Sequence, residues 1–270
     1  MLQTNSDFMK IAILYICTGR YNRFFNGFYE SCKKYFLSEA EKTFFVWTDD
    51  THLADSLDDV IIYHKKCAGF PADSLFRFEM FLQAEDALKK YDYIYFFNAN
   101  AEIRQPVGAE ILPDESGLAM GIWPGKRERQ HPMFFPYERN KKSLAYVSPH
   151  GENYTYFMGG INGGTSEAYL QMIHTLSKNI RDDYNRGIVA KVHDESHINA
   201  YLRTHACKKL DRAFCMPEEW IDDGEQPKIV FRNKVSIDPY FNKGRKSGIV
   251  AKFKKSISIL WNAVRWYLYI

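Results

Sequence analysis

The stretch Y-D-Y-I-Y-F-F-N-A-N, residues 91–100, decides the fold class of this 270-residue chain. Its aromatic and aliphatic residues form a short unbroken run, which predicts a strand buried on both faces of an α/β sheet. Ligands of open α/β sheets bind at the carboxyl ends of such strands, and this strand ends on Asn98 and Asn100. Because residues i and i+2 of an extended chain point to the same side, we expect the two amides to face one spot. A simple turn is the alternative, since asparagine is common in turns.

Strands and helices alternate around this stretch. A further buried strand is predicted at 10–17, other strands at 43–48, 60–64 and 117–123, and helices at 21–36, 71–90, 166–180 and 193–203. This alternation predicts an α/β fold with a mostly parallel sheet. We expect a single domain at residues 10–245, because no internal repeat or low-complexity linker interrupts it. A short extension precedes the domain at 1–9, and a basic amphipathic helix is predicted at 246–270.

Two local signals lie between the last predicted strand and the following helix. The glycine-rich segment G-G-I-N-G-G, residues 159–164, predicts a bulge, a tight turn, or a place where a ligand approaches the backbone. Ser166 follows it and is expected to cap the next helix. Residues after Pro217 are predicted to be irregular as far as the basic tail.

Cysteine content and hydropathy exclude several classes of protein. The five cysteines are scattered, odd in number and without C-x-x-C spacing, which argues against a disulfide framework or a structural zinc site. The first ten residues lack the apolar core of a signal peptide, and no apolar run reaches 18 residues. We therefore expect a reducing, cytoplasmic location without a membrane-spanning helix.

Basic residues are concentrated near the carboxyl end. Residues 228–255 contain nine Lys and Arg against one acid, Asp238, although the whole chain carries a formal net charge of only +3. Such a segment favours an anionic partner, which is a phosphate group, an acidic lipid surface or a nucleic acid.

The segment H-D-E-S-H, residues 193–197, combines two histidines and two acids. His193 and His197 are four residues apart, a spacing that binds zinc on one face of a helix. Zinc hydrolases of that pattern need Glu directly after the first His, whereas here Asp194 follows it and Glu195 comes one residue later. The adjacent acids also suit two separate roles, in which one carboxylate holds a sugar and the other faces a reacting carbon. Acids that simply favour a helix N-terminus are the structural alternative.

Taken in chain order, the motifs resemble glycosyltransferase family 6, the retaining transferases that include the histo-blood-group A and B transferases and the α-1,3-galactosyltransferase. The matching segments cover roughly residues 10–215. They are T-G-R-Y (18–21), Arg77, N-A-N (98–100) where the family usually has D-x-D, Y-E-R with A-Y (137–139 and 145–146), Y-F-M-G-G-I-N-G-G (156–164) and H-D-E-S-H-I-N (193–199). The combination of the last two segments is the most specific part of the pattern.

The resemblance implies a GT-A fold and an enzyme that transfers a sugar from a UDP-sugar, with retention, to the 3-hydroxyl of a galactoside. GalNAc is the expected sugar rather than Gal. Met158 and Gly160 match the two family positions that distinguish UDP-GalNAc from UDP-Gal, and a small Gly160 leaves room for an acetamido group. A galactose bearing α-1,2-linked fucose is the expected acceptor. Nucleic acid is not an expected partner.

The resemblance also assigns roles to individual residues. Glu195 is expected to be catalytic, beneath the anomeric carbon and facing the acceptor, and Asp194 is expected to hold the donor sugar. Trp123 and His131 are expected on the acceptor side. The remaining donor contacts are expected at Ile16, Cys17 and Thr18 through their backbone, at Tyr21 beside the uracil, and at Arg77, Asn98, Asn100, Met158, Gly159 and Gly160.

The main departure from the family pattern concerns metal. The two aspartates of D-x-D help to hold Mn²⁺ in the family, and hard divalent cations prefer anionic oxygen ligands. Two neutral amides stand at these positions here, so we predict transfer that needs no divalent metal or other cofactor. Basic residues are then expected to stabilise the leaving diphosphate, with Lys234, Lys243 and Arg245 as candidates. A catalytically silent sugar-nucleotide-binding protein and a zinc-dependent hydrolase remain as alternatives.

The last 22 residues have an amphipathic pattern of their own. An apolar stripe at helical spacing follows a group of lysines and is accompanied by Trp and Tyr residues. This pattern is typical of a helix at an anionic membrane surface and equally of a helix packed on its own domain. The stripe comprises Ile249, Phe253, Ile257, Leu260, Val264 and Leu268, and the lysines are Lys252, Lys254 and Lys255. The absence of a spanning anchor and of a disulfide pattern favours a bacterial-type member of the family.

Overall fold

The computed structural model describes residues 8–124 and 131–242, together with residues 257, 260, 261, 263, 264 and 266 near the carboxyl end. The described residues of this last group are helical. The prediction of a helix over 246–270 otherwise falls on residues outside the described part. Among the described residues, no helix is long and apolar enough to cross a membrane.

A seven-stranded mixed sheet forms the centre of the molecule. Its order is β3-β2-β1-β4-β7-β6-β8, in which β7 runs antiparallel to both β4 and β6, and all other neighbours are parallel. The sequence predicts a mostly parallel sheet, and the observed sheet differs from that prediction mainly in the antiparallel strand β7. The strands are β1 (Lys10–Ile16), β2 (Glu41–Thr48), β3 (Val60–His64), β4 (Tyr93–Phe97), β6 (Leu118–Ile122), β7 (Phe157–Thr165) and β8 (Lys208–Leu210).

Strand β4 is buried on both faces, as predicted from its unbroken apolar run. Tyr95 and Phe97 pack into the hydrophobic cluster on one side of the sheet, and Ile94 and Phe96 pack into the cluster on the other side. This alternation is the two-residue period of a strand. The core therefore lies on both faces of the sheet and leaves the strand ends available for a site.

Seven α-helices are described. They are α1 (Phe25–Tyr35), α2 (Ala72–Leu75), α3 (Arg77–Leu82), α4 (Glu85–Leu88), α5 (Ser166–Asn185), α6 (His193–Tyr201) and α7 (Lys234–Ile237). The single helix predicted at 71–90 is wrong: it is three short helices, with non-helical backbone at Phe76 and Ala84. The start predicted at Tyr21 is also a 3-10 helix, Gly19–Phe24, that leads into α1. Tertiary packing overrides helix propensity at such short segments.

The glycine-rich segment lies within β7 and does not form a turn. A Cβ atom at Gly163 would lie 2.3 Å from the ring of Tyr95, and one at Gly164 would lie 2.4 Å from the carbonyl oxygen of Gly117. Glycine is required there because neighbouring strands approach the backbone too closely for a side chain. The predicted cap at Ser166 is wrong by one residue, since the Thr165 hydroxyl accepts from the amide of Ala168 at 3.3 Å. The Ser166 hydroxyl instead donates to the carbonyl of Tyr91.

A second, three-stranded sheet lies at the carboxyl ends of the central strands. It contains β5 (Ala101–Ile103), β10 (Ile229–Phe231) and β9 (Met216–Pro217), in the order β5-β10-β9. The region after Pro217, predicted to be irregular, therefore contributes a strand, β10. Because β5 follows Asn100 directly, this sheet brings the chain beyond residue 228 next to the two strand-end asparagines.

Candidate active site

A cleft at the carboxyl ends of the central strands consists of two adjoining cavities of about 620 Å³ and 420 Å³. They share Tyr21, Asn98, Lys234 and Phe241 as lining residues. This position is where ligands of open α/β sheets bind. The cleft contains most of the residues predicted for the donor: Ile16, Thr18 and Arg77 line the larger cavity, and Asn100, Met158 and Gly160 line the smaller one.

Arg77 and Asp194 form a buried ion pair at the base of the cleft. The Nη2 atom of Arg77 lies 3.0 Å from Oδ2 of Asp194, and its Nη1 donates to the carbonyl of Gly159 at 2.8 Å. The guanidinium also lies 4.4 Å from the ring centroid of Phe96. Burial raises the pKa of Asp194, and the positive charge of Arg77 opposes that rise. Glycine at 159 admits this pair, since a Cβ there would lie 3.3 Å from the Asp194 carboxylate.

Glu195 is held by three hydrogen bonds at the start of α6. Its Oε1 accepts from the Tyr156 hydroxyl at 2.6 Å and from Nε1 of Trp123 at 3.4 Å. Its Oε2 accepts from the amide of Gly159 at 2.7 Å. Burial raises the pKa of Glu195, and the hydrogen bonds from Tyr156 and Gly159 oppose the rise. These bonds hold the carboxylate in a fixed orientation, and Glu195 lines the smaller cavity.

The two strand-end asparagines contact each other, as predicted, but they have different environments. The Nδ2 atom of Asn98 donates to Oδ1 of Asn100 at 3.3 Å. Nδ2 of Asn100 donates to the carbonyl of Arg232 at 2.7 Å, and the Arg232 amide donates back to the Asn100 carbonyl at 2.8 Å. Asn100 is 7% exposed. It therefore ties the second sheet to the end of β4, while Asn98 lines both cavities.

Two aspartates that the sequence did not single out shape the larger cavity. Oδ1 of Asp49, just after β2, accepts from the amide of Gly19 at 2.7 Å. Oδ2 of Asp73 accepts from the Thr18 hydroxyl at 3.0 Å and from the amide of Gly69 at 2.9 Å. Asp49 comes at the end of a predicted strand, and that position was the only available signal for its role.

The segment after β10 covers the cleft beside Tyr21. Nζ of Lys234 lies 3.3 Å from the Tyr21 hydroxyl, and the ring of Phe241 lies 4.8 Å from that of Tyr21. Asp238 joins this segment to the 3-10 helix through Arg20 at 3.0 Å and Arg23 at 3.1 Å. Lys234 is thus in the cleft, as predicted. The other two predicted diphosphate ligands, Lys243 and Arg245, lie outside the described residues.

Four of the predicted site residues in the described part of the chain line neither cavity: Cys17, Gly159, Asp194 and His131. Cys17 is fully buried, burial raises the pKa of its thiol, and its amide donates to the carbonyl of Trp47. Gly159 contacts the ligand-facing groups through its backbone, as described above. The ring of His131 contacts that of Trp266 with a centroid separation of 5.0 Å. Trp123, by contrast, lines the smaller cavity next to Glu195.

The two histidines of H-D-E-S-H do not form a metal site with each other. The ring of His193 packs edge-on against Phe70, with centroids 4.9 Å apart. His197 is buried, with Nε2 3.7 Å from Oδ2 of Asp183 on α5. Within residues 8–124 and 131–242, no three His, Cys, Asp or Glu side chains are grouped so as to hold a metal ion. The zinc-hydrolase alternative therefore lacks a ligand set in the described part of the chain.

The seven-stranded mixed sheet, with a cleft at the carboxyl ends of its strands, is the arrangement of a GT-A-like fold. The chain belongs to glycosyltransferase family 6, whose family model matches residues 3–233. This confirms the family resemblance and the enzyme class inferred from the motifs.

Named relatives agree with this assignment. The chain is 34% identical to the O-antigen biosynthesis glycosyltransferase WbnI of Escherichia coli over 87% of this chain and 99% of that protein. It is 27% identical to globoside alpha-1,3-N-acetylgalactosaminyltransferase 1 of Gallus gallus, over 82% of this chain and 64% of that protein. It is also 27% identical to histo-blood group ABO system transferase 1 of Rattus norvegicus, over 74% of this chain and 58% of that protein. The chain thus spans about three fifths of the two animal relatives.

Proposed function

We propose that this glycosyltransferase moves GalNAc, with retention, from UDP-GalNAc to the 3-hydroxyl of a galactose that bears α-1,2-linked fucose. The observation that carries the proposal is the fixed Glu195 carboxylate next to the buried Arg77–Asp194 pair. The names of two animal relatives include α-1,3-N-acetylgalactosaminyl transfer and the histo-blood group system. The same cleft holds Asn98 and Lys234 at the junction of its two cavities, where a diphosphate would lie between base and sugar.

Retention of configuration at the anomeric carbon is compatible with two routes. In the first, Glu195 forms a bond to the anomeric carbon as the carbon–oxygen bond to UDP breaks, and the acceptor hydroxyl then displaces Glu195 while giving its proton to a diphosphate oxygen. In the second, the acceptor hydroxyl attacks from the face that UDP leaves and gives its proton to a diphosphate oxygen, while Glu195 stabilises the positive centre. Both routes require an ionised Glu195. The hydrogen bonds from Tyr156 and Gly159 favour that form.

The small size of Gly160 favours GalNAc, provided that the side chains around this glycine leave room for the acetamido group. A Cβ atom at this position would lie 2.7 Å from Cε of Met158 and 3.0 Å from the ring of Phe231. Met158 therefore fills the space beside the glycine, and the acetamido group requires its flexible thioether to move. Gly160→Ala narrows this space further, so we expect it to lower GalNAc transfer more than Gal transfer.

We further propose that transfer needs no divalent metal. Asn98 and Asn100 carry no charge, and hard cations prefer anionic oxygen ligands. Charge on the leaving diphosphate must then be stabilised by cationic groups, and Lys234 lines both cavities. At the positions where the aspartates of the family hold a metal ion, Asn98 and Asn100 would offer only amide oxygens.

One assay tests donor, acceptor and metal dependence together. Transfer from UDP-GalNAc and from UDP-Gal is measured with fucosyllactose and with lactose, each in EDTA and with added Mn²⁺. We expect the highest rate with UDP-GalNAc and fucosyllactose, unchanged by EDTA. Loss of transfer in EDTA would overturn metal independence, faster transfer from UDP-Gal would overturn the donor assignment, and no turnover under any condition would favour the silent binding protein.

We also propose that the carboxyl-terminal helix binds the inner, anionic face of a membrane. Ile257 and Leu260 are 52% and 67% exposed, and the preceding sequence is rich in lysine, as in interfacial helices. Trp266 packs on Tyr154 with ring centroids 5.5 Å apart, so the helix contacts its own domain as well. Co-sedimentation with phosphatidylglycerol vesicles is expected for the parent chain and lost in Ile257→Glu/Leu260→Glu. Equal sedimentation of both would contradict the proposal.

A further inference from the structure

The motif H-D-E-S-H-I-N ends on Asn199, whose side chain is buried where α6 packs on β7. Asn199 is 2% exposed. Its Oδ1 accepts from the amide of Phe157 at 2.9 Å, and its Nδ2 donates to the carbonyls of Phe157 and Glu195, both at 2.8 Å. These bonds use both donors of the side-chain amide. A flipped amide would place its oxygen against two carbonyls, so the three partners fix the orientation of the side chain.

Phe157, the main partner of Asn199, lies at the start of β7, where the ladder with the neighbouring strand has ended. Strand β4 pairs with β7 only as far as Phe97, which lies opposite Ile161. Two bonds exchanged with the amide and the carbonyl of one residue are what an adjacent antiparallel strand provides. Asn199 supplies this pairing from a helix, and it thereby ties α6 to the first residues of β7.

This tie acts on the residues that hold the carboxylate in the cleft. Gly159, two residues beyond Phe157, donates its amide to Oε2 of Glu195 at 2.7 Å, and its carbonyl accepts from Arg77 at 2.8 Å. Glu195 lies about one helical turn before Asn199, and its carbonyl accepts from the Asn199 side chain. One turn of α6 is therefore bonded to β7 at both of its ends, by Asn199 and by the Glu195 carboxylate.

The beginning of α6 gives this turn little other support. Within the described part of the chain, no side chain caps the helix at Val192. His193 has a φ of 48°, in the left-handed region that a residue other than glycine keeps only where its surroundings hold it. Asp194 and Glu195 follow directly, so the positions of both carboxylates depend on how the next turn is held.

We propose that Asn199 is a positioning residue for the transfer reaction, because it fixes where the Glu195 carboxylate lies in the cleft. Asn199 lines neither cavity, so it acts on the substrate only through Glu195. A displacement of about 1 Å near the reacting groups can cost about a hundredfold in rate. Loss of the tie is therefore expected to lower kcat and to leave substrate affinity nearly unchanged. The assignment rests on the catalytic role proposed for Glu195.

The test uses two variants of Asn199 and a control that removes an equally buried hydrogen bond. Asn199→Asp keeps the size of the side chain, but an ionised carboxylate has no donor and turns negative oxygens toward the two carbonyls. Asn199→Gln keeps both donors on a longer side chain. Tyr95→Phe is the control, because it removes the bond from a buried hydroxyl to the carbonyl of Ile111 at 2.8 Å, and Tyr95 lines neither cavity.

The measurements at pH 8 separate the rate of the chemical step from binding and folding. They are kcat and donor KM for UDP-sugar hydrolysis, with the faster of UDP-GalNAc and UDP-Gal, and for transfer to fucosyllactose. Calorimetry with UDP gives its Kd and the number of sites per chain. We expect Asn199→Asp to lower kcat per UDP site by about 30- to 100-fold and Asn199→Gln to recover part of that loss. Donor KM and the Kd of UDP are expected to stay within about threefold of the parent, and all values for Tyr95→Phe within about twofold.

Three results would overturn the positioning role. The first is a kcat per UDP site in Asn199→Asp equal to that of Tyr95→Phe. The second is a loss of UDP sites in proportion to activity, because Asn199 would then support folding alone. The third is a rise in donor KM or in the Kd of UDP with kcat unchanged, because Asn199 would then act on binding. A parent that hydrolyses a UDP-sugar but transfers to no galactoside would instead overturn the proposed function, and hydrolysis would still decide the role of Asn199.

Discussion

Replacing Asn100 by Asp restores the charge that the family pattern has at this position, and we expect it to destabilise the protein. The Nδ2 atom of Asn100 donates to the carbonyl of Arg232 at 2.7 Å, and the residue is 7% exposed. An ionised carboxylate offers no donor, so it places a negative oxygen against the carbonyl oxygen. The side-chain bond from Asn100 to the second sheet is thereby lost, while the backbone bond from the Arg232 amide to the Asn100 carbonyl remains.

The size of the effect follows from two contributions. Loss of one hydrogen bond costs about 1 kcal/mol, and leaving the carbonyl unpaired raises that to about 1–3 kcal/mol. A buried charge without a partner adds about 1–2 kcal/mol after its pKa has risen to reduce the penalty. We expect a total of about 2–4 kcal/mol, which lowers Tm by roughly 5–15 °C in a domain of this size.

Thermal unfolding of parent, Asn100→Asp and Asn98→Asp at pH 8 and pH 5 measures this effect. Asn98→Asp is the matched control, because Asn98 lines the cleft and, among the described residues, its side chain hydrogen-bonds only to Asn100, at 3.3 Å. We expect less than 1 kcal/mol for that control. Burial raises the folded-state pKa of the introduced carboxyl, so the loss is complete above that pKa and shrinks as the pH falls through it. Equal Tm values for Asn100→Asp and the parent at pH 8 would refute the reasoning.

Four further predictions concern the cleft and the helix that carries Asp194, Glu195 and His197. Glu195→Gln is expected to lower transfer at least a hundredfold with an unchanged unfolding midpoint; full activity would remove Glu195 from catalysis. Since burial raises the pKa of Glu195 and transfer needs the carboxylate, the acid limb of the kcat profile should lie above the pKa of 4.5 usual for Glu; a limb at or below that value would contradict this. Arg77→Met is expected to cost about 3 kcal/mol of stability by stranding Asp194, and Arg77→Met/Asp194→Asn should lose less than the two single variants together. Burial lowers the pKa of His197 to about 4, so the unfolded chain binds more protons than the folded chain between pH 6.5 and pH 4. The free energy of unfolding therefore falls by about 3 kcal/mol as the pH decreases through that window. Chemical unfolding of His197→Asn should show a flatter pH dependence than that of the parent.

Local sequence was enough to predict strands β1 to β4 and β6, and the burial of β1 and β4. The unbroken run ending at Phe97 predicted a strand buried on both faces, and the structure places successive side chains in the two hydrophobic clusters. Helix boundaries were predicted less well. The breaks at Phe76 and Ala84 depend on how α3 packs on α5 and on the ion pair of Arg77, which local propensity does not encode.

The candidate site was likewise predicted only in part from the sequence. The motifs around Arg77, Gly159 and Glu195 were recognisable because their order and spacing resemble one family, and the family match confirms that resemblance. Their convergence was not readable from the chain, since 82 residues separate Arg77 from the glycine carbonyl that it binds. Asp49 and Asp73 were missed because an aspartate at a strand end or helix start is common in many roles.

The sequence by itself therefore determined the α/β class, the transferase family and the residue types of the site, because these follow from hydrophobic period and motif order. Only the tertiary structure decided what the two asparagines at the end of residues 91–100 do. Asn98 faces the cleft, whereas Asn100 bonds to the Arg232 backbone. The two amides differ because β10, which begins more than 120 residues later, pairs with the strand that directly follows Asn100.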